Sequence, residues 1–185
     1  MLGRTHTTLN SALWCGGCLV LSPDPWVQAT GLVGVALGSL LPDIDEPKSL
    51  MGRWVPHLSR LVKGTVGHRT LTHSVWPLFL LSGLAYLSWG RVWFPFVLGL
   101  AIGTWLHVLE DKASRSGVVL LWPLVKYNYS KRGLQYAPHH YHGYRVGGPF
   151  ETVVFILSAA CLSVLLVLLG VGVRWEDVRY FIETF

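Results

Sequence analysis

The chain has 185 residues, of which 51% are hydrophobic and only 14% charged, and its formal net charge is +5. A typical soluble domain carries about 25% charged residues, so this composition argues against a soluble globular protein and indicates a membrane protein. A basic chain can also indicate nucleic-acid binding, but here the basic residues alternate with apolar stretches, so no nucleic-acid partner is expected.

Apolar segments along the chain predict about five transmembrane helices, in an all-α polytopic bundle that forms a single membrane-embedded domain over residues 1–185. The first two segments are shorter than the roughly 20 residues that a helix needs to cross a bilayer, so a tilted or protein-shielded hairpin is expected there. The first segment lacks a small-residue cleavage site and is expected to be retained. The segments are residues 9–21, 26–41, 72–88, 92–109 and 150–173.

Small residues inside these segments predict close helix packing. Gly34 and Gly38 form a G-x-x-x-G pattern, which lets two helices approach closely in lipid. Gly99 and Gly103 have the same spacing in the fourth segment. Packing is also a simpler interpretation than redox chemistry for the three cysteines in apolar stretches, Cys15, Cys18 and Cys161.

Residues 43–70 are polar and basic, yet they contain an apolar pattern with helical spacing. The pattern predicts an additional amphipathic helix, which either lies along the membrane interface or packs on the protein. Its apolar residues are Leu50, Trp54, Leu58, Leu61 and Val62.

The distribution of Lys and Arg predicts the orientation. With five spans, the N-terminus and the loops 43–70 and 110–149 share one face, which carries twelve Lys and Arg against three on the other. The positive-inside rule therefore predicts that the N-terminus and both long loops are cytoplasmic.

Residues that can bind a metal lie at the segment ends that this orientation brings to the cytoplasmic face. Imidazoles and carboxylates on separate helices suit Zn²⁺, with Mn²⁺ or Fe as alternatives. Seven ligands are too many for one tetrahedral ion, so a site with two ions is expected. The candidate ligands are His6, Asp43, Asp45, His68, His73, His107 and Asp111.

Two local patterns support the site. Asp43 and Asp45, in an extended segment, would point the same way; the alternative is an acidic turn that faces water. His107 and Asp111 are four residues apart on a helix and share a face with Gly99; the alternative is a hydrogen bond that stabilises the helix end.

The stretch from His68 to Ser74 adds groups that suit a phosphate. Arg69 is expected to neutralise it, or alternatively to form a salt bridge with Asp43 or Asp45. Thr72 or Ser74 would position it. A second histidine cluster contributes His140 as a candidate headgroup contact, with a solvated loop as the alternative; its members are His139, His140 and His142.

In order along the chain, these motifs resemble the YdjM-like family of membrane-bound metal-dependent hydrolases, also labelled LexA-binding inner-membrane-associated proteins. The resemblance runs from about Thr5 to Glu151 and implies a metal-dependent hydrolase of the bacterial inner membrane. Its motifs are Thr5-His6, Leu40-Leu41-Pro42-Asp43-Ile44-Asp45, His68-Arg69-Thr70-Leu71-Thr72-His73-Ser74, His107-x-x-x-Asp111, Gly117 and Pro123.

The expected function is hydrolysis of a phosphoester in a phospholipid or lipid-linked phosphate, at a di-metal site on the cytoplasmic membrane face. Asp45 is the candidate bridging ligand or general base, Arg69 and Ser74 act on the substrate, and basic loops attract anionic headgroups. The alternatives are a scaffold or regulatory protein with a structural metal site, and an ion transporter, which ligands at span ends disfavour.

Overall fold

The computed structural model describes residues 1–125 and 143–184, and within them every regular element is helical. The all-α class is therefore confirmed for this part of the chain. The helices are α1 (Gly3–Leu21), α2 (Pro25–Gly38), α3 (Leu50–Trp54), α4 (Pro56–Thr65), α5 (Val75–Leu87), α6 (Phe94–Lys112), α7 (Pro149–Gly170) and α8 (Trp175–Thr184), with 3-10 turns at Pro42–Asp45 and Leu71–His73.

Helices α2 and α6 are the most closely packed pair in the bundle, because glycines line their contact. A Cβ atom at Gly34 or Gly38 would collide with the backbone of α6, and one at Gly99 or Gly103 would collide with the backbone of α2. The two helices therefore pack backbone to backbone, as the glycine spacing predicts.

The remaining long helices are arranged around this pair. Helix α1 packs against α2, α6 and α7, and α5 packs against α6. This packing brings the start of α1, the end of α2 and the end of α6 to one end of the bundle.

Two helical stretches are long and apolar enough to cross a membrane, Pro25–Asp45 and Pro149–Gly170. Helix α5 is apolar but has only 13 residues, and α1 and α6 carry polar and charged residues near the site. The described residues thus support two of the five predicted spans. Helix α7 is almost entirely exposed along its apolar length, as a helix in contact with lipid must be.

The amphipathic segment forms two helices and not one. Val55, which precedes Pro56, takes a non-helical conformation with φ −128° and ψ 61°, because the proline ring disfavours helical geometry in the preceding residue. The apolar side chains of Trp54 and Leu61 are exposed on α3 and α4, which suits contact with a membrane interface.

The cysteines divide into two groups. Cys15 and Cys18 are free and buried in α1, as packing predicts. Cys161 is exposed, so the expectation that it packs is wrong. It lies on α7, which contacts the bundle chiefly through α1.

Candidate metal centre

Helix α6 supplies two fully buried side chains one turn apart, His107 and Asp111. The Nδ1 atom of His107 lies 2.7 Å from the carbonyl oxygen of Ser39 at the end of α2. A carbonyl can only accept, so Nδ1 must donate, and the lone pair of the neutral ring is on Nε2. The close packing of α2 and α6 therefore fixes which nitrogen of His107 is available to a cation.

His6 enters the same space from α1 and is also fully buried. Its ring stacks on that of His107 with the centroids 3.8 Å apart. Its Nδ1 pairs with the carboxylate of Glu110, and its Nε2 lies 3.4 Å from Asp111 Oδ1. A carboxylate on one nitrogen and an open lone pair on the other is the usual environment of a metal-binding histidine.

Glu110 is a site residue that the sequence interpretation missed. It lies beside Asp111 and three residues after His107, so helical spacing places it next to the predicted pair. This helical spacing relative to His107 is the signal that could have identified Glu110 from the sequence. Glu110 is also fixed through its backbone, because Tyr144 Oη donates to its carbonyl oxygen at 2.8 Å.

Asp43 and Asp45 lie in a 3-10 turn, so the prediction of an extended pair with both side chains on one side is wrong. With three residues per turn, positions i and i+2 point about 120° apart. Asp43 Oδ1 faces His107, 3.7 Å from its Nε2. Asp45 turns the other way, toward the segment that begins at His68.

Asp45 is fully buried and both of its oxygens have partners. Oδ1 lies 2.7 Å from His68 Nδ1. Oδ2 accepts from the backbone N–H of Arg69 at 2.8 Å and from Thr72 Oγ1 at 2.6 Å. The Asp45 carboxylate therefore holds the His68–His73 segment in place through contacts with His68, Arg69 and Thr72.

His73 reaches the cluster from the opposite side and is fully buried. Its Nε2 lies 3.2 Å from His107 Nε2 and 3.6 Å from Asp111 Oδ2. His73 thus brings a third imidazole to the space that His107 and Asp111 share.

Arg69 has a left-handed backbone with φ +61°, which is uncommon for a residue other than glycine. Two backbone bonds hold it there, one from its N–H to Asp45 and one to its carbonyl from Val119 N at 3.2 Å. Its Nη2 lies 2.7 Å from Asp111 Oδ2, and its Nη1 donates to Ser114 Oγ at 3.1 Å. The salt bridge weighed for Arg69 is therefore made with Asp111, and not with Asp43 or Asp45.

The donor atoms fall into two overlapping sets, in each of which all atoms lie within 4.8 Å of one another. Both sets contain His107, whose single lone pair can serve one ion only. Asp111 is different, because Oδ1 faces His6 and pairs with the N-terminal ammonium of Met1, whereas Oδ2 faces His73 and His107. The sets are His6, His107 and Asp111, and Asp43, His73 and His107.

The residues present fit a divalent cation. His6 Nε2 and Asp111 Oδ2 are buried and have no hydrogen bond of acceptable geometry, although Oδ2 forms the ion pair with Arg69. Buried polar atoms without partners are uncommon in folded proteins. A cation would give His6 Nε2 the partner that it lacks and would give Asp111 Oδ2 a second one.

Other predicted site residues lie outside these two sets. His68 is 33% exposed at the edge of the cluster, where Asp45 holds it. Ser74 donates to the carbonyl of Leu71 at 2.7 Å and caps the start of α5, so it does not join the cluster. The predicted histidines His139, His140 and His142 lie outside the described residues.

A cavity of about 940 Å³ opens beside the cluster, and we call it the cationic cavity. Asp43, His68 and Arg69 form its inner wall. Its remaining wall combines apolar side chains and hydroxyl groups with the carboxylate of Glu46 and three further cations, Arg4, Lys48 and Arg53. A negatively charged group that enters this cavity therefore reaches the His/Asp cluster past Arg69.

Comparisons with known proteins identify relatives. A family model described as "YdjM inner membrane protein" matches residues 1–176. The inner membrane protein YdjM of Escherichia coli (strain K12) and that of Shigella flexneri are each 39% identical over 90 residues, which cover 47% of this chain and 46% of the relative. The chain thus spans about half the length of these two relatives.

A third relative is matched over a larger share of its length. The uncharacterized protein YvsG of Bacillus subtilis (strain 168) is 34% identical over 126 residues, which cover 66% of this chain and 74% of that protein. No solved structure matches the chain.

Proposed function

The chain belongs to the YdjM family of inner membrane proteins, and we propose that it is a metal-dependent hydrolase that cleaves a phosphoester of a phospholipid or lipid-linked phosphate. The observation that carries this proposal is the pair of overlapping His/Asp donor sets beside Arg69 and the cationic cavity. Imidazole and carboxylate donors suit a divalent transition metal, and a guanidinium suits a phosphate.

In this proposal two divalent ions occupy the cluster, Zn²⁺ by preference and Mn²⁺ or Fe as alternatives. Asp111 would bind both ions, since its two oxygens face different donor sets. When bound, such a pair lowers the pKa of a water molecule and stabilises charge on a phosphoryl oxygen. The ligands are His6, Asp43, His73, His107 and Asp111.

Asp45 and His68 then take a role next to the metal ligands. Both oxygens of Asp45 are engaged, so it orients its neighbours. Its contact with His68 Nδ1 leaves the other ring nitrogen of His68 free to accept or donate a proton at the wall of the cavity. Arg69 would bind the phosphate oxygens, because its side chain lies in the wall of the cationic cavity and a guanidinium suits a phosphate.

We further propose that the chain crosses the bacterial inner membrane five times, with the cluster facing the cytoplasm. The charge distribution supports this orientation, since twelve of the fifteen Lys and Arg fall on the face predicted to carry the cluster. Reporter fusions placed in loop 43–70 and at Arg91 test it, and they should report opposite sides of the membrane. Fusions that report the same side would overturn the five-span arrangement.

The test of function uses the protein purified in detergent without chelators. Elemental analysis should find about two transition-metal ions per chain, and the protein should release phosphate from phosphatidic acid. Chelation should abolish the release, and Zn²⁺ or Mn²⁺ should restore it. His73→Ala and Asp111→Ala should lose both metal and activity. A wild-type protein without transition metal would overturn the site.

A structural metal site in a scaffold or regulatory protein is the second candidate, and one observation favours it. His6, His73, His107 and Asp111 are fully buried, as the ligands of a closed structural site are. Stoichiometric metal with no turnover on any phosphate ester would support this candidate against the hydrolase.

A further inference from the structure

A second cavity, of about 850 Å³, lies between α1 and α7, and we call it the apolar groove. Its volume falls within the roughly 300–1,000 Å³ of small-molecule sites. Cβ atoms added at Gly16 and Gly17 would meet nothing within 4 Å, so both glycines face open space. The glycines therefore widen the groove rather than bring two helices into contact. Its walls include Ala12, Gly16 and Gly17 of α1 and Leu157, Cys161 and Leu165 of α7.

The apolar groove begins where the cationic cavity ends. Thr8 lies in the wall of the cavity and Ser158 in the wall of the groove, and their hydroxyl oxygens are 3.0 Å apart. One turn before Thr8, Arg4 lies in the cavity wall with its guanidinium carbon 5.0 Å from the centre of the Phe155 ring on α7. Arg4 is thus held at the junction by a cation–π contact.

The two spaces also share one face of α1. Arg4, Thr8, Ala12 and Gly16 follow one another at intervals of four residues, so they form a continuous stripe along the helix. The stripe begins at a cation near the His/Asp cluster and ends among apolar side chains. A ligand that filled both spaces would have a charged head and a hydrocarbon tail.

The charged side chains of the cationic cavity indicate the sign of the headgroup that it can bind. Within the described residues, none of the three cations Arg4, Lys48 and Arg53 forms an ion pair with a carboxylate. Of the two carboxylates in the same wall, Glu46 is paired with Lys63 at 2.6 Å and Asp43 faces His107. The cationic cavity therefore attracts an anion, and the exposed apolar length of α7 opens the groove to the surrounding bilayer.

We propose that the apolar groove binds an acyl chain of an anionic phospholipid, whose phosphate head occupies the cationic cavity beside the cluster. The inference rests on the proposed function for the identity of the cavity as the reaction site. The binding itself can be measured without turnover, so the two proposals fail separately.

The test fills the groove from α1 with Gly17→Leu. Gly83→Leu is the matched control, because Gly83 is also a helical glycine whose added Cβ meets nothing within 4 Å, but it lies on α5. Native mass spectrometry of delipidated protein measures binding of dioleoyl phosphatidic acid and of dihexanoyl phosphatidic acid. Gly17→Leu should weaken dioleoyl binding about tenfold, equivalent to about 1.4 kcal/mol, and leave dihexanoyl binding unchanged. Gly83→Leu should change neither.

The head is tested with Arg4→Gln. This variant should reduce the preference for phosphatidic acid over phosphatidylcholine at both chain lengths, because it removes a cation from the cavity and leaves the groove intact. Should Gly17→Leu fail to fold, Cys161→Trp fills the same groove from exposed α7 and should give the same loss.

Several results would overturn the proposal. One is dioleoyl binding by Gly17→Leu equal to that of Gly83→Leu. Another is a wild-type dimer that becomes monomeric in Gly17→Leu, since a second copy of the chain would then occupy the groove. Metal content and phosphate release are measured in the same preparations. Selective loss of lipid binding in a protein without any turnover would support the groove and refute the hydrolase.

Discussion

Replacing Asp111 with Asn keeps the shape of the side chain and removes its charge, and the expected effect has two parts. The first is independent of metal. Arg69 would lose a buried partner at 2.7 Å, and breaking a buried ion pair typically costs about 3–5 kcal/mol of folding free energy. The second part is the loss of metal, because Asp111 is the one residue of the two donor sets whose separate oxygens face both.

The metal part has a calculable size. An ion at one hundred times its dissociation constant stabilises the folded state by about 2.7 kcal/mol, so two ions give about 5 kcal/mol. For a protein of this length that corresponds to a rise of about 10–20 °C in Tm. Wild-type protein should show this difference between metal-loaded and chelated samples in a thermal unfolding assay in detergent. Asp111→Asn should show almost none.

Two controls separate the causes. Asp43→Asn affects one donor set and should keep about half of the metal-dependent difference in Tm. Glu46→Gln removes the ion pair with Lys63, which lies outside both donor sets, and should keep the whole metal-dependent difference in Tm. If Asp111→Asn retained the full difference, Asp111 would not be a ligand of either ion.

Two further predictions concern the support of the cluster. Thr72→Val removes the 2.6 Å bond to Asp45 and should lower metal affinity about 10–100-fold in a chelator competition titration, whereas an unchanged affinity would show that Thr72 does not orient the site. Gly103→Val overpacks the α2–α6 contact and should cost about 1–3 kcal/mol of stability in thermal unfolding, while Gly83→Val, in open space, should change it little.

Much of the helical framework could be predicted from the sequence, because its signals are local. Apolar runs predict α2, α6 and α7. The glycine spacing identifies the face on which α2 and α6 meet, since only glycine allows that approach. The prediction of a single amphipathic helix is wrong, because Pro56 disfavours a helical conformation at Val55 even though the apolar spacing continues across it.

The partners within the cluster could not be predicted in the same way, because they depend on packing between distant parts of the chain. His6 meets Glu110 across more than one hundred residues, and neither residue alone indicates the other. The ion pair of Arg69 with Asp111 depends on a left-handed backbone that two long-range bonds hold in place. The order of the spans predicts that these segments meet at one face. It does not predict which carboxylate pairs with which histidine or arginine.

The backbone conformation of the segment Asp43–Asp45 determines which partners its two carboxylates contact. An extended Asp-x-Asp segment would present both carboxylates to one ion, whereas a 3-10 turn sends them apart. The turn follows Pro42, directly after the end of α2, where close packing on α6 already fixes the chain. Asp43 consequently faces His107, while Asp45 holds the His68–His73 segment that carries Arg69 and His73 to the cluster. The turn that follows the α2–α6 contact thus points Asp43 toward His107 and Asp45 toward the His68–His73 segment.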